Sequence, residues 1–359
     1  MEIQAQLGNH ITILPDEILF NIFSYLPYRD IFNFQQCSKN ISGIFKRIKL
    51  VKKYAEKGYV GKEYKKLFYY SNLNYHIIHK TLLKEFPHIK AVTPKEVFSQ
   101  LTEKVNNEIT TNKNFTLLNK EIEINIEKVF PQSAKFLEGN GKEELKEILL
   151  CFLYIRPENN YCQSMNYIVG TLIDIFCDEN NLNDSTHKVL CFYTMILMTD
   201  ECGLNTLFIQ NNPDYQMRIF QENLLFEEFF PSLFFHLKRK KINLEVFFSQ
   251  WILSLFSSYL PLEIIDKVFD CFIIQKWKSF FKFSMVFISF IYDKIGSMDL
   301  EAMTKYIKEH KAILVIKYSK ISERLNEYKI TNKHLQELSD DYLISQVKKK
   351  LDVNIKLYI

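Results

Sequence analysis

The sequence predicts an all-α protein, on three observations. Apolar residues recur at helical spacing along most of the chain, only 9 Gly and 9 Pro punctuate 359 residues, and 47% of the residues are hydrophobic, with 31 Phe and 20 Tyr. Recurrence at i, i+3, i+4 and i+7 marks one helix face directed at a core. Scarce Gly and Pro disfavour a turn-rich β-protein. A chain of this length can bury one large domain and a small one.

Residues 1–55 read as a separate small module. Leu14-Pro15-Asp16-Glu17 has the character of a helix start, with Pro in the first turn and acids at the positive end of the dipole. Ile18, Leu19, Ile22 and Phe23 form its apolar stripe; Pro27 ends it, and Asp30 opens a second helix with Ile31 and Phe34 inside. A segment of about 40 residues cannot bury so many apolar groups unaided, so some must meet a partner or the rest of the chain. The stretch from Lys46 to Lys66 holds nine Lys or Arg against two Glu. It reads as a solvated helix face or linker, or alternatively as a contact for an anionic membrane or an acidic partner. Residues 56–100 are accordingly expected to be a basic helical linker. The runs KRKK (238–241) and KKK (348–350) pose the same choice.

The main domain is expected over 101–310. Leu145, Ile148, Leu149, Phe152 and Leu153 make one stripe, and that helix must end near Arg156, because Pro157 disfavours helical geometry in the residue before it. Met165, Ile168, Val169, Leu172, Ile173 and Phe176 make the next. Further helices are expected over 188–199, 215–228, 244–258, 262–274 and 279–295, with loops at CDENNLNDST and NNPD. Residues 311–359 form a C-terminal helical extension, one helix or two, with a stripe at Leu335, Leu338 and Tyr342 packing on the domain.

Composition narrows the function classes. A net charge of +4 does not by itself imply nucleic acid. The seven cysteines (37, 151, 162, 177, 191, 202 and 271) form no C-x-x-C pair and sit mostly in apolar runs, as buried thiols of a reducing compartment do. The eight His are dispersed, so no metal site is expected. The N-terminus has no apolar signal core. The longest uncharged run, Val246 to Leu262, contains Gln250 and Pro261 and reads as a buried helix rather than a membrane span. The expectation is a cytoplasmic protein, with recruitment to endomembranes left open.

Two stretches carry a family resemblance. LPDEILFNIFSYLPYRDIFNFQQCSKN (14–40) resembles the F-box: Leu14, Pro15, Glu17, Leu19, Ile22, Phe23, Leu26 and Asp30 fit its pattern. That resemblance implies a three-helix module that binds a Skp-type adaptor of a cullin ubiquitin ligase, with Leu14, Pro15, Ile18 and Leu19 on the adaptor-binding face. The alternative is a small helical cap on the main domain. ILLCFLYIRPENNYCQSMNYIVG resembles the second motif of the TBC domain of Rab GTPase-activating proteins, matching at Tyr161, Gln163, Met165, Asn166, Tyr167 and Ile168, with Ser164 in place of the usual Gly. FFSQWILSLFSSYLPLEIIDKVFDCFI resembles the third motif through Trp251, Phe256, Pro261, Leu262, Glu263 and Asp270. The resemblance implies a TBC-type V-shaped helical domain, all-α, preceded by the small F-box-like module. Trp251 and Asp270 read as architectural.

The first motif departs from the family. The pattern I-x-x-D-x-x-R-T-F-P keeps its register through Ile122, Phe130 and Pro131, but Asn125 stands for the Asp, Lys128 for the Arg and Val129 for the Thr. The earlier R-x-x-x-W signature is not found.

Activation of GTP hydrolysis needs an oriented water and compensation for charge on the transferred phosphoryl group. The resemblance assigns the first role to Gln163, whose amide donates and accepts, and the second to the residue at the position of Lys128. Gln163 could otherwise be a capping amide, and Lys128 an ordinary solvated lysine. Lysine keeps the charge but loses the planar fork that bridges two phosphate oxygens, and Asn125 removes a carboxylate that could orient a cation. Tyr161 and Asn166 read as supporting scaffold. No Gly-rich nucleotide cradle occurs, so GTP and magnesium would be carried by a partner Rab-type GTPase, and the chain needs no cofactor of its own. Three functions compete: a Rab-binding GTPase activator of weak or lost activity, a ubiquitin-ligase substrate receptor that captures a Rab or another client, and a pure interaction module with neither output.

Overall fold

The computed structural model describes residues 60–357 apart from 63–64, 131–132, 178–181, 183–185, 210–212, 244, 297, 300, 303–304 and 307–317. The F-box-like stretch, with Leu14, Pro15, Ile18 and Leu19, lies outside the described residues, as does Pro131. Among the described residues the structure is all-α, with one isolated antiparallel bridge between Asn159 and Ile209. The chain divides into two compact units. Residues up to Gln210 cluster with Phe269–Ile274, and Asn211–Val268 with Gln275 onward.

The first unit contains α1 (Lys65–Asn72), α2 (Tyr75–Glu85), α3 (Pro94–Thr111), α4 (Lys113–Ile126), α5 (Ala134–Leu137), α6 (Gly141–Ile155), α7 (Gln163–Phe176) and α8 (Lys188–Cys202). Helix α6 is the hub and packs on α3, α4, α7 and α8. Its predicted stripe is its buried face, and Leu145, Ile148, Leu149 and Phe152 are all fully buried. Helix α8 is buried at every position from Val189 to Thr199, so it is apolar all round rather than striped. Helix α3 starts as its sequence dictates. Pro94 occupies the first turn, the Thr93 hydroxyl accepts from the Glu96 N–H, and the Glu96 carboxylate accepts from the Thr93 N–H.

Within 56–100, expected as a basic linker, α1 and α2 are core. Phe68, Tyr69, Tyr70 and Tyr75 are buried. The Tyr69 ring meets Phe176 edge-on at 5.0 Å, the Tyr75 hydroxyl bonds to Thr194 at 2.6 Å, and His79 Nδ1 to the Tyr193 hydroxyl at 2.9 Å. Lys65 belongs to the basic run yet is 1% exposed, because its Nζ donates to Asp270 Oδ2 at 2.5 Å. A buried ammonium persists only when paired. Asp270 is thus architectural, its Oδ2 holding the buried Lys65 ammonium. A second buried ionic group joins α5, α6 and the start of α8. Lys135 Nζ lies 3.2 Å from the Glu144 carboxylate and donates to the Leu182 carbonyl at 2.6 Å, and His187 Nε2 sits 3.0 Å from the other Glu144 oxygen.

The second unit contains α9 (Pro213–Phe229), α10 (Pro231–Arg239), α11 (Glu245–Ser254), most of α12 (Leu262–Gln275), α13 (Trp277–Ile295), α14 (Tyr318–Arg324) and α15 (Asn332–Leu357). The sequence expected α11 to continue to 258; it ends at Ser254, because Leu255 and Phe256 take φ of 49° and 67°. Left-handed geometry is costly for such residues, and here burial offsets it. The Phe256 ring stacks on Phe280 at 4.6 Å and lies 5.3 Å from Trp251, whose role is therefore packing. The predicted C-terminal stripe docks on α9. Leu335 and Leu338 are buried, Tyr342 meets Phe220 at 5.4 Å, and Gln221 Nε2 donates to the Leu335 carbonyl at 2.8 Å and the Ser339 hydroxyl at 2.9 Å. Cys151, Cys177, Cys191, Cys202 and Cys271 are buried free thiols.

Candidate functional site

The loop between α6 and α7 is held at both sides. Helix α6 stops at Ile155, and Arg156 turns to bind the Glu85 carboxylate at 3.1 Å and the Asp200 carboxylate at 2.9 Å. The Asn160 N–H donates to the Phe208 carbonyl at 2.6 Å. Cys162 is then extended (φ −136°, ψ 148°) and Gln163 is the first residue of α7. Cys162 occupies the N-cap position without a side-chain cap bond, and Gln163 is the first helical residue rather than the cap. Its side chain is exposed and makes no hydrogen bond to another described residue. It stands in the turn whose backbone N–H groups lack intrahelical acceptors. Burial pushes the Cys162 thiol up to about 11, so this helix start carries an amide and no thiolate nucleophile.

Lys128 sits just past the end of α4. The Lys128 N–H donates to the Asn125 carbonyl at 3.2 Å and the Val129 N–H to Ile126 at 2.9 Å, which tightens the last turn. The chain then reverses at Phe130, where φ is 40°. Val129 is buried and Lys128 exposed. Lys128 Nζ donates to Asn125 Oδ1 at 3.3 Å. Neighbouring acids are taken by α6, with Glu127 on Lys142 at 2.6 Å and Glu123 on Lys146 at 3.0 Å. Among the described residues Lys128 makes no ion pair.

The tertiary structure brings this turn onto α7. Gly170 lies inside that helix, where glycine costs about 1 kcal/mol relative to alanine. A Cβ at Gly170 would come 2.7 Å from Val129 Cγ1 and 3.1 Å from the Phe130 ring, so only glycine permits this approach. The Tyr167 hydroxyl donates to the Lys128 carbonyl at 3.3 Å, and the Tyr167 ring meets Phe130 edge-on at 6.0 Å. Gln163, Tyr167 and Gly170 are spaced i, i+4, i+7 and share one face of α7. The face that seats the lysine turn therefore ends, one turn further toward the N-terminus, in Gln163.

The supporting residues sit in the two halves. The Tyr161 hydroxyl donates to Asn166 Oδ1 at 3.1 Å. Burial raises the Tyr161 pKa, so the ring stays a neutral phenol. Asn166 is fully buried. Lys128 and Asn125 thus form one hydrogen-bonded pair at the cation turn, and Tyr161 and Asn166 a second at the start of the helix bearing Gln163. All five predicted residues of the main-domain site are brought into one region. Sequence reasoning named Phe130 only as a register mark of the first motif and missed Gly170, whose one available signal was an isolated Gly inside a helical stripe.

The fold is that of a Rab-GTPase-TBC domain: that family model matches residues 62–296, and the chain belongs to the family. An F-box domain model matches residues 11–53. Among solved structures, the Ypt/Rab-GAP domain of Gyp1p aligns with a TM-score of 0.61 at 13% identity, covering 87% of this chain and 98% of that one. The Chlamydomonas flagellar RabGAP TBC domain aligns at 0.53 and 14%, covering 81% and 94%. Among curated proteins, the Caenorhabditis elegans Rab GTPase-activating protein eat-17 is 23% identical over 233 residues, 64% of this chain and 25% of that protein. The Saccharomyces cerevisiae GTPase-activating protein GYP5 is 26% identical over 152 residues, 42% of this chain and 16% of that protein. The chain spans a quarter or less of these curated relatives.

Proposed function

We propose that the chain binds a Rab-type GTPase through the surface around Gln163 and Lys128 and accelerates its GTP hydrolysis weakly or not at all. The observation that carries this reading is Lys128 itself, at the arginine position of the family motif, held by an amide 3.3 Å away. A stabilising arginine is worth roughly 10³ to 10⁵ in rate, or about 4 to 7 kcal/mol of barrier. Lysine retains the charge but cannot bridge two phosphate oxygens in a plane. Gln163 retains the water-orienting amide, open to solvent at the start of α7. GTP and magnesium arrive with the GTPase.

Single-turnover GTP hydrolysis over a panel of Rab proteins tests this. Wild type is expected near the intrinsic rate, Lys128→Arg well above it, and Gln163→Ala in the Lys128→Arg background back at the intrinsic rate. A wild type that accelerates hydrolysis by several orders of magnitude sinks the degenerate-finger reading.

The F-box match at 11–53 favours a second output, in which the chain is the substrate receptor of a cullin ubiquitin ligase and the TBC domain captures the client. Co-purification with a Skp-type adaptor is expected, and is expected to fail for Leu14→Ala/Pro15→Gly. Binding that survives those changes rules the assignment out.

A further inference from the structure

We infer that the C-terminal end of α10 docks on an anionic lipid surface, with Phe235 entering the interface and Lys238, Arg239 and Lys241 on the headgroups. The run KRKK (238–241) reads from sequence as either a solvated face or such a contact. Helix α10 packs inward through Leu233 and Leu237, both buried. At about 100° per residue Phe235 stands on the opposite face, and it is 50% exposed. Lys238 and Arg239, three and four residues on, share that face. Lys238, Arg239, Lys240 and Lys241 are all exposed. Among the described residues none of these cations pairs with a carboxylate. Lys238 Nζ lies over the Phe234 ring at 5.4 Å, and Lys240 Nζ donates to the Met298 carbonyl at 3.2 Å.

Two observations set this patch apart from an ordinary solvated helix end. It has one sign, since no acid occurs from Phe229 to Leu244. The acids around it are engaged elsewhere: Glu228 lies 3.3 Å from His334, Glu245 accepts from the Tyr215 hydroxyl at 3.2 Å, and Asp299, beside Met298, accepts from the Ala302 N–H at 2.8 Å. The backbone is also strained to place a cation. The Ile242 N–H donates to the Leu237 carbonyl at 3.1 Å and the Lys241 N–H to the Lys238 carbonyl at 3.0 Å, a Schellman turn whose left-handed residue is Lys241, at a φ of 56°. Glycine takes this position without a steric penalty. A lysine there gives up stability and extends the run of charge, and such an outlier points to a use for that charge. A half-exposed phenyl ring among lysines and an arginine is the composition of a helix at a membrane interface, with the ring at the acyl boundary and the cations on anionic headgroups. An acidic polypeptide is the competing occupant; it would answer the cations and leave the ring without a role.

The full chain is tested by co-sedimentation with phosphatidylcholine vesicles, with and without phosphatidylserine. Wild type is expected to pellet with the anionic vesicles, and less so as salt rises. Lys238→Gln/Arg239→Gln/Lys241→Gln is expected to lower partitioning roughly 100-fold, and Phe235→Gln about fivefold. Lys241→Gly separates the two roles of that residue. Its melting temperature should hold or rise, because the left-handed turn relaxes, while partitioning falls about fivefold; a lysine with only a structural role would move the first and not the second. The inference is overturned if wild type stays in the supernatant with the anionic vesicles, and binding of polyglutamate through the same cations would then assign the patch to an acidic protein. It is also overturned if the triple variant pellets as wild type does, which would place binding in another basic stretch, or if Phe235→Gln does.

Discussion

Gly170→Ala separates local propensity from tertiary contact, because the two predict opposite signs. In an isolated helix the change would stabilise α7 by about 1 kcal/mol. Here the new methyl would lie 2.7 Å from Val129 Cγ1 and 3.1 Å and 3.3 Å from atoms of the Phe130 ring. Val129 is 1% exposed, and the reversal at Phe130 already sits at a φ of 40°, so the turn has little room to retreat. Overpacking of this kind costs typically about 1–3 kcal/mol. The net expectation is a loss of about 0–2 kcal/mol once the helix gain is subtracted. Both tryptophans, Trp251 and Trp277, belong to the second unit, so fluorescence would not report on α7. Hydrogen exchange over residues 163–176, read as a local opening free energy, does. Val129→Ala removes the nearest clashing atom, so the double variant should lose about 1 kcal/mol less than the sum of the singles. A stabilised Gly170→Ala that adds independently to Val129→Ala would refute the close approach of the lysine turn to α7. The link between Gln163 and Lys128 would fall with it.

Removing the ammonium of Lys65 with Lys65→Met leaves the buried Asp270 carboxylate without that partner and should cost about 3–5 kcal/mol, with much of it recovered by adding Asp270→Asn; thermal unfolding measured by far-ultraviolet circular dichroism checks this. Glu222 is fully buried, accepts from the Ser284 hydroxyl, and burial raises its pKa to about 8. The folded state therefore holds a proton that the unfolded chain releases near 4.5, so this group's contribution is full below about pH 4.5 and is lost as pH rises toward about 8. Glu222→Gln should flatten that part of a stability–pH profile from urea unfolding, and an unchanged slope would show the carboxylate to be ionised. Tyr161→Phe deletes the hydroxyl that donates to Asn166, and should cost about 1–2 kcal/mol by leaving buried Asn166 Oδ1 without its donor; hydrogen exchange over the start of α7 should rise, and no change would remove Tyr161 from a supporting role.

The sequence by itself determined the local features. The end of α6 at Ile155 follows from Pro157, the start of α3 from Thr93, Pro94 and Glu96, and the core face of α6 from the spacing of Leu145, Ile148, Leu149 and Phe152. These depend on contacts within one or two turns, where periodicity and capping chemistry act directly. The motif positions of Gln163 and Lys128 were also legible, as was the loss of the arginine. Only the tertiary structure decided that Lys65, in a run that reads as solvated, is buried against a residue 205 positions away. The same holds for the seating of Lys128's turn on the Gln163 face through Gly170 and Tyr167, and for the end of α11 at a left-handed Leu255–Phe256 pair rather than at 258. Each is a long-range packing outcome in which burial, or a single charge pair, outweighs the local preference of the residue. Spacing along a helix shows which face turns inward; what that face meets is settled only when the core closes.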